Sequence, residues 1–189
     1  HGSVASGLNC RPAIGRLVRR NVRSLTLLSK EYADMELDAL DRRILTVLQR
    51  RGRISNADLS EEVHLSPSAC HRRVQRLEAE GIVAGYVALL DARKLGRQTT
   101  VYVEITLQTQ ADEVLDAFEK AVRRIPDVLE CHLMAGTADY ILKIAARDTE
   151  DFARIHRQYL TRLPSVAQMQ SSFALRTVHA TTALPLDGH

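Results

Sequence analysis

The stretch Ser66 to Gly81, SPSACHRRVQRLEAEG, constrains the fold of this chain more than any other. Ser66 offers an N-cap oxygen, and Pro67 follows with φ already set for a helix and no N–H to lose. Cys70, Val74 and Leu77 recur at i, i+4 and i+7, so they share one narrow inward face. Ser68, Arg72, Gln75 and Arg76 point the other way, and Gly81 stands where a left-handed C′ residue is wanted. Alone, this describes an ordinary amphipathic surface helix. Immediately upstream, however, Ser55 to Val63 reads as a short helix capped by Ser55 or Asn56, with Leu59 and Val63 on one face. Only His64 and Leu65 separate the two. Two helices joined by so short a turn, the second polar and basic outside, form the helix-turn-helix pattern whose second helix enters the DNA major groove.

Composition fits that reading. With 45% hydrophobic residues in 189 the chain has material for one large or two small cores. Aromatics are scarce at 4% with no Trp, so stacking platforms for single strands are poorly supplied and duplex is the favoured partner. The net charge of +3 divides unevenly, with +4 in residues 1–34, +2 in 35–97 and −3 in 98–189. Basic character therefore lies in the first half, as it would in a nucleic-acid module joined to a domain with another task. Cys10, Cys70 and Cys131 lack the spacing of a disulfide framework or zinc finger, which points to a reducing cytoplasm. No run is long enough to span a membrane, so no membrane partner is expected.

Residues 1–34 are Arg-rich and begin with His1, with Met35 directly before the first well-patterned helix. They read as an N-terminal extension, a tag or an arm. Residues 35–83 make the helix-turn-helix domain, whose supporting helix opens at Asp38 with Asp41 three residues on. Its inward stripe is Leu40, Ile44, Val47 and Leu48, and it closes at Gly52. Residues 84–97 read as a hinge strand, Tyr86 to Leu90, followed by a turn and linker from Asp91 to Gly96.

Residues 98–180 alternate strand and helix signals. Val101, Val103, Ile105 and Leu107 mark one strand; Val114, Leu115, Phe118 and Val122 a helix; Leu129, Cys131 and Leu133 a second strand. Tyr140, Leu142 and Ile144 mark a third strand, Phe152, Ile155, Tyr159 and Leu163 a second helix, and Met169, Phe173 and Leu175 a last strand. The fold class is thus α+β: a winged-type helix-turn-helix followed by a ferredoxin-like βαββαβ domain, with residues 181–189 as a tail. Two helices cover one face of the sheet. The other, expected to carry Tyr102, Thr106, Val128, Met134, Ile141 and Ala145, is apolar enough to call for a second subunit, hence a homodimer.

For DNA, Arg72 and Arg76 suit guanine O6/N7 or phosphate and Gln75 suits adenine. Ser68 and His71 suit the backbone near the helix start, Ser66 is mainly a cap, and Ser55 and Asn56 at the preceding helix start complete the set. An enzyme is disfavoured, because the neighbours Cys131 and His132 in a strand point to opposite faces; the same geometry weakens a metal site. Gly136 to Asp139 by itself reads as a hairpin turn.

The chain from about Leu37 to about Ala180 resembles the Lrp/AsnC family, the feast/famine transcription regulators. The resemblance rests on LDALDRRILTVLQRRGRISNADLSEEV, LSPSACHRRVQRLEAEGIVAGYVALLD, VYVEITL, ECHLMAGTADYILKI and the later RLPSV. It implies a sequence-specific, DNA-binding transcriptional regulator of the bacterial cytoplasm and nucleoid, without a cofactor or catalytic residue. Its effector would be an amino acid such as leucine or methionine, and its dimers would assemble into tetramers or octamers. It makes Met134, Ala135, Gly136, Thr137, Ala138, Asp139 and Tyr140 the effector loop, with Thr149 and Ser172 nearby from the same or a neighbouring subunit. In that reading turn N–H groups hold a carboxylate and Asp139 pairs with an α-ammonium. The alternative is an architectural, nucleoid-associated protein with little effector response. His64 stands where the family usually has Gly, so a residue with a Cβ must take a left-handed turn there.

Overall fold

The structure, a computed structural model, describes residues 37–186. The N-terminal extension lies outside the described residues. The chain divides into two compact units, one running to Tyr86 and regaining the chain from Thr182, the other Val87–Thr181.

The first unit holds α1 (Ala39–Arg50), α2 (Asn56–Glu62) and α3 (Pro67–Ala79). Each starts on a side-chain cap. Asp38 accepts from the N–H groups of Leu40 and Asp41 while Asp41 answers the Asp38 N–H, a capping box. Ser55, rather than Asn56, caps α2, and Ser66 caps α3 ahead of Pro67. The core is Ile44, Leu45, Leu59, Val63, Cys70 and Leu77. On α1 the inward face differs from the expected stripe: Asp41, Ile44 and Leu45 are buried, while Leu40, Val47 and Leu48 are half-buried. The helix is rotated so that a carboxylate lies under α3.

Left-handed residues end both α2 and α3. Gly81 has φ +74° and His64 has φ +59°. Beyond Gly81 the expected hinge strand does not form. Residues 84–90 make no ladder, and Tyr86, Val87, Leu89 and Leu90 are exposed, because an extended segment becomes a strand only when another strand supplies hydrogen bonds. The turn that follows is held by Asp91, whose Oδ1 accepts from the N–H groups of Arg93 and Lys94.

The second unit runs β1 (Thr99–Leu107), α4 (Asp112–Val122), β2 (Val128–Leu133), β3 (Tyr140–Ala146), α5 (Thr149–Gln158), a 3-10 turn at Leu160–Arg162 and β4 (Val166–Phe173). The strands lie in the antiparallel order β2-β3-β1-β4, the ferredoxin-like arrangement. Val101, Val103, Ile105 and Leu107 of β1 and Tyr140, Leu142, Ile144 and Ala146 of β3 face a core with Phe118, Val122, Phe152 and Ile155. Leu160, absent from the sequence pattern, is also fully buried, because the 3-10 turn shifts the helical phase after Gln158.

Cross-strand partners share a face, and this corrects two expectations. Val128 pairs with Ile144 and packs on the core, not on the open face, because a register shift between Val128 and Glu130 inverts the strand there. The same irregularity leaves Leu129 exposed. Leu175 lies beyond the end of β4 and is exposed. The open face carries Tyr102, Thr106, Ile141 and Ala145, interspersed with Glu104, Glu130, His132, Lys143, Gln170 and Ser172. It is more polar than alternation suggested.

Candidate nucleic-acid interface and effector loop

On α3, Ser68, His71, Arg72 and Gln75 are all exposed. Among the described residues Arg72 and Gln75 have no hydrogen-bond or ion-pair partner, so their donors face water. Arg76 is different. Its Nη2 lies 2.5 Å from Asp41 Oδ2 and its Nε 3.6 Å from Glu80, so the guanidinium expected to reach a base is committed to the protein. Arg73 joins it, 2.8 Å from Asp41 Oδ1 and 2.7 Å from Asp38 Oδ2. Asp41 is 1% exposed, and burying a carboxylate demands such compensation. The bond from the Asp41 N–H, reinforced by Arg73, holds Asp38 below the usual carboxylate range.

The flanking residues serve geometry. Ser55 Oγ lies 2.7 Å from Asp58 Oδ2 and accepts the Asp58 N–H. Asn56 Nδ2 donates to the Pro67 carbonyl over 2.9 Å and so ties the start of α2 to the start of α3. Ser66 Oγ accepts the Ala69 N–H, with Ser68 Oγ 3.3 Å away. The turn angle between the two helices is therefore fixed by side chains first assigned to DNA.

In the second unit, Met134 to Asp139 form the loop between β2 and β3, and Tyr140 opens β3. Its middle is exposed at Ala135, Gly136 and Thr137, and among the described residues the N–H groups of Ala135, Gly136, Thr137 and Ala138 find no acceptor. Asp139 departs from expectation. It is 7% exposed; Oδ2 accepts the Leu107 N–H over 2.7 Å and Oδ1 accepts from Gln110 Nε2. Within one chain this carboxylate fastens the loop to the end of β1 and faces away from solvent. Tyr140 is buried against Phe118, and burial together with the bond it donates to Glu119 raises its hydroxyl pKa.

Thr149 and Ser172 do not join the loop within one chain. Thr149 opens α5 beyond the far end of β3, which at about 3.3 Å per residue places it roughly 20 Å from Tyr140 along the strand. Ser172 pairs with Tyr102 on the open face, away from the Ile105 to Tyr140 pair beside the loop. Cys131 faces the core opposite Leu142 while His132 pairs with Ile141 on the other face. Burial pushes the Cys131 thiol up to about 11, which removes the thiolate a nucleophile needs.

Residues 37–84 match the model for a winged helix-turn-helix DNA-binding domain, and residues 100–184 match the Lrp/AsnC ligand binding domain. Leucine-responsive regulatory proteins of Klebsiella pneumoniae and Escherichia coli are 40% identical to the chain over 156 residues, covering 82% of it and 95% of each relative. The chain belongs to the Lrp/AsnC family. A transcriptional regulator from Neisseria meningitidis, solved in complex with L-methionine, shares 38% identity at TM-score 0.77, covering 80% of this chain and 98% of its own. A feast or famine regulatory protein from M. tuberculosis, also with L-methionine, shares 26% at TM-score 0.70, covering 79% and 99%.

This Lrp/AsnC-type transcriptional regulator thus combines a helix-turn-helix head with a ferredoxin-like sensing domain. Two residues of the head escaped sequence reasoning. Asp41 looks like the second half of a capping box, and Arg73 looks like one more surface arginine; together with Arg76 they clamp α3 onto α1. The available signal was the pair Asp38 and Asp41 facing arginines three residues apart on α3, but only tertiary structure brings the helices together.

Among the described residues, no helix is long and apolar enough to cross a membrane.

Proposed function

We propose that this regulator reads duplex DNA with the outer row of α3 and adjusts that binding through an amino acid held at the 134–140 loop. The carrying observation is the division among neighbouring arginines. Arg73 and Arg76 are tied to Asp41, whereas Arg72, on the same helix, is exposed and has no partner among the described residues. Arg72 and Gln75 are the base-edge readers in this proposal, with Ser68 and His71 on phosphates. Ser55, Asn56, Ser66 and Arg76 position the helix.

The N–H groups at Ala135 to Ala138, unanswered among the described residues, suit an α-carboxylate, and Asp139 sets the loop's shape. Leucine and methionine are the first ligands to test, given the names of the relatives and the ligands in the solved neighbours. Exposed Tyr102 on the open sheet face and the unpaired apolar segment Val87 to Leu90 support a homodimer, with tetramers or octamers built from it. Pairing is also the route by which Thr149 or Ser172 of a second subunit would approach the loop.

The test uses a duplex selected by the protein from a random pool. Arg72→Ala should weaken binding about 5- to 150-fold, the ~1–3 kcal/mol of a bidentate base contact. Unchanged affinity across a salt series would remove Arg72 from the interface. Each free amino acid is then added in a thermal melt; a ligand of the folded state must raise the midpoint, and no response to any of them would end the effector reading.

A further inference from the structure

The chain beyond β4 is exposed from Ala174 onward, yet its last described residues return to the head. Gln49 Nε2 donates to the Leu184 carbonyl over 3.1 Å, and the Leu184 N–H donates back to Gln49 Oε1. One carboxamide therefore satisfies both backbone groups of a single residue, as a neighbouring strand would. Pro185 follows. It holds Leu184 extended and contributes no N–H of its own, so the next polar group along the tail is the Leu186 carbonyl. Arg42 Nη1 donates to that oxygen over 2.7 Å. The Leu186 side chain is half-buried and packs against the head core of Ile44, Leu45 and their neighbours.

The spacing explains why these two side chains serve. Arg42 and Gln49 lie two turns apart on one face of α1, about 10 Å along the axis, while Leu184 and Leu186 span about 7 Å of extended chain. Arginine's length closes the difference. The tail runs antiparallel to α1, and both bonds go to backbone, so the seat selects an extended Leu-Pro-Leu shape.

We propose that the Arg42 and Gln49 face of α1 is a docking site for the chain's own residues 182–186. The head is then tied into the polypeptide at both of its ends: through the segment after Tyr86 and through the seated tail. This goes beyond DNA reading and effector binding and depends on neither.

Hydrogen exchange of the full chain tests the seat. In the wild-type protein the Leu184 amide should exchange at least ten-fold more slowly than amides of the exposed stretch 174–180, and Gln49→Ala should abolish the difference. Equal rates in the wild type would overturn the seat. The occupant is tested with a flexible bis-maleimide bridging Thr46→Cys, on the same face of α1 between Arg42 and Gln49, and Ala183→Cys, both seat side chains kept, in a Cys10→Ser, Cys131→Ser background. A product running as one chain supports the proposal. A product running as two chains assigns the tail to a second copy and overturns it, as does the absence of any cross-link.

Discussion

The two units solve the same problem with different means. Among the described residues the sensing domain buries fifteen apolar or aromatic side chains between its helices and sheet, whereas the head buries six. Each also buries acids. In the sensing domain Asp151 receives Arg147 and Arg154 within 3.1 Å, and Asp127 receives Arg97 at 2.5 Å, all around an already sufficient apolar core. In the head the buried Asp41 instead joins two helices beside a much smaller apolar core. A small three-helix module leaves a large fraction of its surface wet, so a polar clamp carries more of its fold.

That contrast is broken first by core truncation. Leu77 and Phe118 are both fully buried, and Leu77→Ala or Phe118→Ala should each cost about 3–5 kcal/mol. By differential scanning calorimetry Leu77→Ala should melt the head while the sensing transition stays in place, whereas Phe118→Ala should lower the sensing transition. A single shared transition in both variants would show the units to be one cooperative block. Next comes the clamp. Asp41→Ala removes the acceptor that Arg73 and Arg76 share, but Arg73 keeps Asp38, Arg76 keeps Glu80 and both reach solvent, so about 2 kcal/mol is expected rather than the full cost of a stranded buried charge. Chemical denaturation followed at the head checks it; a change under ~0.5 kcal/mol would make the clamp decorative.

Acid sharpens the comparison further. Bonds from Arg147, side chain and backbone N–H, depress the Asp151 carboxyl strongly, while Asp38 of the head is depressed by the Asp41 N–H and Arg73. A carboxyl whose folded pKa lies below its unfolded value of about 3.9 contributes stability that is full above that value and lost as pH falls through the folded pKa. The sensing domain should therefore lose stability steadily below about pH 4, and Asp151→Asn should flatten that limb while lowering the neutral-pH plateau. An unaltered acid limb in that variant would place the sensitivity elsewhere.

Much of this was legible in the chain. Caps at Asp38, Ser55 and Ser66, alternation in β1 and β3, and the position of α4 follow from local chemistry that tertiary contacts do not override. What failed depended on a distant or absent neighbour. Tyr86 to Leu90 has strand composition and, among the described residues, no strand to pair with. Val128 changed faces because one register shift inverts everything before it. Arg76 looked like a reader because a sequence shows that a guanidinium points away from its own helix's core and not that another helix's carboxylate waits there. Asp139 looked like a ligand group for the same reason: its partner Gln110 lies in another loop.

The smallest expected effect compares two turns that each place a left-handed residue just past a helix end. At the end of α3 the left-handed residue is Gly81, whose N–H reaches the Glu78 carbonyl. At the end of α2 it is His64, whose N–H reaches Glu61 while the Leu65 N–H reaches Ser60, the paired bonds of a Schellman motif. A non-glycine residue at positive φ carries about 1–2 kcal/mol of Cβ crowding. Glycine removes that cost but returns some of it through a more disordered unfolded chain, about 0.5–1 kcal/mol. His64→Gly should therefore stabilise the head by about 0.5–1 kcal/mol, raising its melting midpoint by a few degrees, while Gly81→Ala should lower it by a similar amount. If His64→Gly instead destabilises the head, the imidazole makes a contact worth more than the strain it imposes, and the turn between α2 and α3 depends on that side chain as well as on its backbone bonds.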